Sequence, residues 1–360
     1  MHLLRIQRVT TAGVALVATA LLAAACSSSS STTSSAPSSS SAKLSGTLNA
    51  SGSTFQLTFQ EAAIAAFKSV QPGMTVNYGG GGSGKGRTDL SSGVVNFAGS
   101  DSPVPASEAS SFAGKTVLYF PVVIGPITLS YNLSGLSKPL QLSAPVIANI
   151  FQGKITTWNN SAIAADNPGV KLPSTPITLA VRSDSSGTTQ NFSLFLMDAA
   201  PSVWTLGSSS TISWPKTARA GNGNGGVASI VKSTPGAIGY VDYADAKASG
   251  LTYASIKNSS GNYIAPSVSA ATAAADGVTV APNLTFHAVW ASGATAYPIT
   301  YQSWVLVIQK QSSANVTKML KAYIGYLLGA GQQLLPSLNY APLPASIDSM
   351  AKAQLDKIGT

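Results

Sequence analysis

From Leu44 onward the chain switches repeatedly between short β-rich runs and segments of helical periodicity. A chain patterned this way builds α/β layers with largely parallel strands. The runs Thr47 to Ala50, Met74 to Tyr78, Asn96 to Gly99, Val117 to Ile124, Ile177 to Val181, Ile238 to Val241 and Trp304 to Ile308 are the predicted strands. Between them lie apolar stripes at helical spacing. Phe55, Phe59, Ala62, Ala63 and Ala66 form one, and Val316, Leu320, Ile324 and Leu327 another. Both are expected to face the core, not a cofactor. Ser255 to Leu284 is rich in Ala, Ser, Asn and Gly, and predicts surface loops with a short helix.

At 360 residues the chain has room for two or three compact units, taking about 100–200 residues per domain. Its 21 Lys and Arg outnumber its 12 Asp and Glu, yet charged residues make up only 9% of the total. The basic excess is therefore thinly spread. Its densest cluster, around Lys85 and Arg87, holds two, whereas a nucleic-acid surface presents a stripe, so nucleic-acid binding is not expected. One cysteine, Cys26, forms no internal disulfide, and with only His2 and His287 it builds no Cys/His zinc cluster. Neither metal nor cofactor is expected.

The N-terminus reads as an export address. Arg5 and Arg8 precede an apolar run from Ala12 to Ala25, shorter than the roughly 20 residues of a membrane-spanning helix. Residues 1–25 are thus the expected signal peptide. Leu22-Ala23-Ala24-Ala25-Cys26 resembles a bacterial lipobox, which predicts lipidation of Cys26 and a membrane anchor on the outer face of the cell. Leu22 stands one place earlier than the commonest pattern, which leaves ordinary cleavage after an Ala open. Residues 26–43, nearly all Ser and Thr after the cysteine, form the expected disordered tether, with a mean reach of roughly 20 Å.

Three turns between strand and helix carry the candidate chemistry. The first is Ala50-Ser51-Gly52-Ser53-Thr54-Phe55. The second is Tyr78-Gly79-Gly80-Gly81-Gly82-Ser83-Gly84-Lys85-Gly86, and the third Arg182-Ser183-Asp184-Ser185-Ser186-Gly187-Thr188-Thr189. One such turn alone is more often simple capping than a ligand site. Three helix N-termini converging on one centre would gather free amides, hydroxyls and partial positive charge suited to an oxyanion. Arg182 adds a planar fork, and Asp184 can hold that guanidinium in place, although a surface ion pair is the plainer reading of the two. The second turn departs from a Walker A loop because Gly86 stands where a magnesium-binding hydroxyl is required.

Further runs occur in a fixed order: Asn96-Phe97-Ala98-Gly99-Ser100-Asp101-Ser102-Pro103, Ile150 to Trp158, and Pro235-Gly236-Ala237-Ile238-Gly239-Tyr240-Val241. With the three turns, they make the chain from about Leu44 to Tyr340 resemble the phosphate-binding subunit of the bacterial high-affinity phosphate ABC transporter. The resemblance implies a type II periplasmic-binding-protein fold: two lobes, each with a mixed sheet and flanking helices, joined by two crossover strands. Lobe 1 would comprise residues 44–123 plus 298–360, and lobe 2 residues 124–297. The implied phosphate-binding residues are Thr54, Phe55, Ser83 and Asp101 from lobe 1. From lobe 2 they are Arg182, Asp184, Ser186, Gly187 and Thr188. Lys85 stays outside the implied site.

The resemblance also implies inorganic phosphate as ligand, the permease subunits of a phosphate ABC transporter as partner, a monomer, and no enzymatic activity. Asp101 is the telling residue, because a carboxylate suits an anion site only if the ligand still carries a proton. Phosphate near neutral pH does, and sulfate does not. Locally, Asp101 could instead cap a helix over Ser102 to Ser111. The rival classes are a secreted phosphate-ester hydrolase and a surface adhesion module. The first would need partners for His287, and none is evident in its Thr-Phe-His-Ala setting.

Overall fold

A computed structural model describes residues 43–360. The signal segment, Cys26 and all of the tether but Lys43 lie outside the described residues. The chain begins with β1 (Gly46–Gly52), α1 (Leu57–Val70), β2 (Met74–Gly79), α2 (Ser83–Ser91) and β3 (Phe97–Ser100). β1 pairs in parallel with β2 on one side and β3 on the other. Helix α1 buries Phe59, Ala63 and Phe67, one side chain per turn of a single face. Gly52 sits at φ +135°, and a Cβ there would stand 2.1 Å from the Gly99 carbonyl oxygen, so only glycine lets β1 and β3 close up at the turn.

β4 (Val117–Tyr131) follows, 15 residues long and buried over nearly its whole length. After it come β5 (Gln141–Leu142), α3 (Ala144–Phe151) and α4 (Ser161–Asp166). A second parallel group then forms from β6 (Thr178–Arg182), α5 (Gly187–Ala199), β7 (Arg219–Gly221), α6 (Gly223–Ser233) and β8 (Ala237–Asp242), with β6 in the middle. Next are α7 (Tyr243–Ala248), β9 (Thr252–Tyr253), β10 (Ser255–Lys257), β11 (Tyr263–Ile264) and α8 (Val268–Ala275). β12 (Thr300–Ile308), α9 (Ala314–Leu328) and α10 (Ala345–Gln354) return the chain to the first group. β5, β10 and β11 make a small sheet of their own.

The large sheet runs β2-β1-β3-β12-β4-β8-β6-β7, with β9 also on β4. β4 joins the two groups. Residues 117–126 pair antiparallel with β12, and residues 127–131 with β8. The partner changes between Pro126 and Ile127, where the missing N–H of proline costs no ladder bond. The predicted strand over Val117 to Ile124 is therefore seven residues short, because Gly125-Pro126 reads as a break in sequence while the backbone stays extended through it. Gly125 allows the Phe55 ring to pack on the strand: a Cβ would lie 3.0 Å from its edge. The expected two mixed sheets are thus continuous through one long strand. In the Ser255 to Leu284 region the predicted short helix is α8, which caps with Ser267 and buries four alanines. Among the described residues no helix is long and apolar enough to cross a membrane.

Candidate functional site

Four helices present their N-termini to one region at the C-terminal ends of the parallel strands: α1 and α2 from the first group, α5 and α6 from the second. Asp101 lies just past β3, 2% exposed. Its Oδ1 accepts from Ser53 Oγ and Ser303 Oγ, each at 2.5 Å, and its Oδ2 from Ser83 Oγ at 3.3 Å. It caps no helix. The segment after it is a short 3-10 turn over Ala106–Phe112, preceded by Pro105. The Asp101 backbone is held as well, its N–H donating to Ser83 Oγ at 3.1 Å and its carbonyl accepting from Asn191 Nδ2 at 2.7 Å.

Arg182 ends β6 and is buried. Its Nε donates to Asp184 Oδ1 at 2.7 Å and its Nη2 to Asp184 Oδ2 at 2.5 Å. The pair is no surface contact, because the two side chains are only 1% and 7% exposed. The remaining Nη1 reaches Thr188 Oγ1 at 3.3 Å. Ser186 caps α5 by accepting from the Thr189 amide at 3.1 Å, which leaves Gly187 as the first helical residue. Gly187 is packed against the other group: a Cβ there would fall 2.5 Å from Ser83 Oγ and 2.7 Å from Asp101 Oδ2. The residues named from sequence in the two groups therefore meet.

Further contacts tie the two sides together. Gly84 N–H donates to the Ser185 carbonyl at 3.0 Å, and Asn224 Nδ2 donates to Thr54 Oγ1 at 3.1 Å. Phe55 buries its ring against Tyr301, with centroids 4.2 Å apart, and its N–H points to Ser53 Oγ at 3.1 Å. Lys85 leaves the site altogether, pairing with Asp89 on the solvent side of α2. His287 is exposed, with Asp198 as its charged neighbour.

The two acids of the site respond oppositely to burial. Desolvation raises the pKa of Asp101, and the hydroxyls of Ser303 and Ser53, the Arg182 charge and Ser83 only partly counter it. Desolvation acts the same way on Asp184, but the Arg182 hydrogen bonds and charge outweigh it and hold that carboxyl below its ordinary value. Burial also disfavours the charge on Arg182, and Asp184 more than restores it. What results is a buried cluster of hydroxyls, helix-terminal amides and one guanidinium, with a single carboxylate that has no cationic partner of its own.

Ser303, Asn191 and Asn224 escaped the sequence reading, and Ser53 entered it only as a member of the first turn. Ser303 stands in a buried strand whose polar positions Thr300, Gln302 and Ser303 are all 0% exposed. Polar residues inside an apolar strand were the available signal. Among the described residues no group of three His, Cys, Asp or Glu is disposed to hold a metal ion.

Two mixed α/β halves with a polar site at their strand ends define a binding protein of the periplasmic type. The family model for the PBP superfamily domain matches residues 37–330. The phosphate-binding protein PstS 3 of Mycobacterium leprae is 36% identical over 315 residues, covering 84% of each chain. The phosphate-binding protein PstS of Xylella fastidiosa is 34% identical over 286 residues, 78% of this chain and 77% of that one. The chain belongs to the PstS phosphate-binding proteins of the PBP superfamily. Its fold is similar to that of the high affinity periplasmic phosphate-binding protein PfluDING bound with phosphate. The TM-score is 0.71 at 22% identity, over 86% of this chain and 94% of that one.

Proposed function

We propose that the protein binds inorganic phosphate outside the cytoplasm and delivers it to the permease subunits of a phosphate ABC transporter. The observation that carries this reading is Asp101: a buried carboxylate ringed by three hydroxyls and facing the turn after Arg182. A site of that composition favours a tetrahedral oxyanion that keeps a proton. Thr54, Phe55, Ser83 and Asp101 would contact it from one side, and Arg182, Ser186, Gly187 and Thr188 from the other, with Asp184 orienting the guanidinium. The names of the relatives support a binding protein and lend nothing to the hydrolase reading.

Capture would proceed by closure of two lobes, 44–123 plus 298–360 against 124–297, because a ligand that touches both favours the closed state by its differential affinity. In support, the partner change in β4 at Pro126/Ile127 and the start of β12 at Thr300 lie within three residues of those limits. The lipobox-like run supports an anchor at Cys26, and a Cys26→Ser variant should then leave the membrane fraction. Retention of that variant in the membrane fraction would remove the anchor from the proposal.

Isothermal titration of phosphate-stripped protein tests the main reading. One phosphate site per chain is expected, undiminished by excess sulfate. Absence of phosphate heat, or a preference for sulfate, would overturn it.

A further inference from the structure

The direction of the hydrogen bonds on Asp101 is fixed by what else the donors touch. Ser53 Oγ already accepts the amides of Phe55 and Gln56 at 3.1 and 3.3 Å, which leaves its one proton for Asp101 Oδ1. Ser303 Oγ accepts from Gln56 Nε2 at 2.7 Å. That this atom of Gln56 is the nitrogen follows from its other contact, the Trp304 carbonyl at 2.8 Å, which can only accept. Gln56 Oε1 in turn takes Gln60 Nε2 at 2.9 Å, and Gln60 Oε1 takes the Tyr323 hydroxyl at 2.7 Å. The proton of Ser303 then has two choices, the Ser100 carbonyl at 3.3 Å and Asp101 Oδ1 at 2.5 Å. The shorter bond to the acid takes it.

The relay therefore reads one way, from Tyr323 through Gln60, Gln56 and Ser303 to Asp101, and every donor in it is 0% exposed. It crosses from α9 through α1 to β12. Ser303 stands where the β12 and β4 pairing shifts, Ser303 opposite Val123 but Trp304 opposite Pro121, a bulge of the kind that re-aims a side chain beside a site. With two protons directed at Oδ1, a proton on Asp101 itself has room only on Oδ2. Oδ2 is the oxygen that faces Gly187 and carries one long bond from Ser83.

We propose that the Gln60–Gln56–Ser303 relay is the specificity device of this site. It fixes Oδ1 as an acceptor, favours the carboxylate form of Asp101, and leaves Oδ2 as the one oxygen that tests the ligand for a hydroxyl proton. The inference rests on the phosphate reading above and adds to it: Ser303 and Gln56 are positioning residues that act through Asp101. The ligand class it selects is a tetrahedral oxyanion still carrying P–OH or its equivalent, against one that is fully ionised.

The charged and titratable groups that bear on Asp101 are Arg182 from β6, Tyr78 from β2, Tyr301 from β12, Asp242 from β8, and Tyr340. Burial raises the acid, and the Ser303 hydroxyl is the first of the groups that oppose the rise. Above its folded pKa, Asp101 meets sulfate acceptor to acceptor. Below it, a protonated Oδ2 can donate to sulfate, and the discrimination is lost.

The test measures phosphate and sulfate binding to wild type, Ser303→Ala and Ser303→Thr between pH 4 and 8. Ser303→Ala should begin to bind sulfate about one to two pH units higher than wild type, the size of one hydrogen bond to a charged group, with a smaller phosphate-to-sulfate ratio at neutral pH. Ser303→Thr keeps the hydroxyl and should restore the wild-type profile. An unchanged sulfate onset in Ser303→Ala would overturn the relay, whereas a wild type that binds no phosphate would defeat the functional reading instead. The Asp101 carboxyl carbon, followed by NMR in the unsubstituted protein, gives a second readout. Ionisation at neutral pH is expected, and a protonated acid there would also overturn the proposal.

Discussion

Asp101 and Asp184 are both acids in one site, and their surroundings differ in kind. Asp101 is solvated by neutral hydroxyls and sits above its ordinary pKa, while Asp184 is gripped by a guanidinium fork and sits below it. The pair of Arg182 and Asp184 is close to neutral overall, so with Asp101 ionised, as the proposed relay requires, the three groups together carry about one negative charge. An anion is therefore not drawn here by net charge. The attraction must come from local donors: the buried amides and hydroxyls at the helix N-termini, and the Nη1 edge of Arg182, which reaches Thr188 and not Asp184. One side of the site supplies donors, and the other checks the ligand. Their pKa values are driven apart by what surrounds each, neutral hydroxyls around one and a guanidinium against the other.

Removing the donor side should have the largest effect. Arg182→Met takes away the fork and leaves Asp184 buried without its partner, a loss of about 2–5 kcal/mol in phosphate affinity for a truncated buried charge pair. Calorimetry with phosphate measures it. Affinity within tenfold of wild type would erase the distinction between the two sides.

How far this was readable from sequence follows the range of each contact. The strands β1, β2, β3, β6 and β8 stand where β-rich runs are bounded by turns, and the two helical stripes became α1 and α9. β12 begins four residues before the predicted Trp304 because Tyr301-Gln302-Ser303 breaks the apolar run that marks a buried strand. Arg182 and Asp184 are two residues apart and could be paired by eye. Asp101 as part of a site came only through resemblance, and its partners Ser53 and Ser303 lie 48 and 202 residues away. Asn224 meets Thr54 across 170 residues. No local spacing records such contacts, which arise from the order in which strands enter the sheet.

Stability without ligand gives the smaller and sharper contrast between the two acids, because their neutralisation should act with opposite sign. Asp184 has a depressed folded pKa. Its stabilising contribution is present above the unfolded carboxylate value of about 3.9 and is lost as pH falls through the lower folded value. Asp184→Asn should therefore destabilise the protein at pH 7 by about 1–3 kcal/mol, since Arg182 keeps a carbonyl acceptor but loses the opposing charge. Asp101 has a raised folded pKa, so its contribution is present below about pH 3.9 and disappears as pH rises through the folded value. At pH 7 its ionised form costs stability. In Asp101→Asn the amide oxygen can take the place of Oδ1 beneath Ser53 and Ser303, while the NH2 faces Ser83 and the ligand side. That variant should unfold at equal or higher denaturant concentration than wild type, by about 1 kcal/mol, while its preference for phosphate over sulfate narrows. Urea midpoints for the two variants at pH 7 and pH 4 measure this directly. Equal destabilisation by both would mean that the hydroxyl cage stabilises a charge as well as the guanidinium does, and the contrast between the two sides of the site would fail.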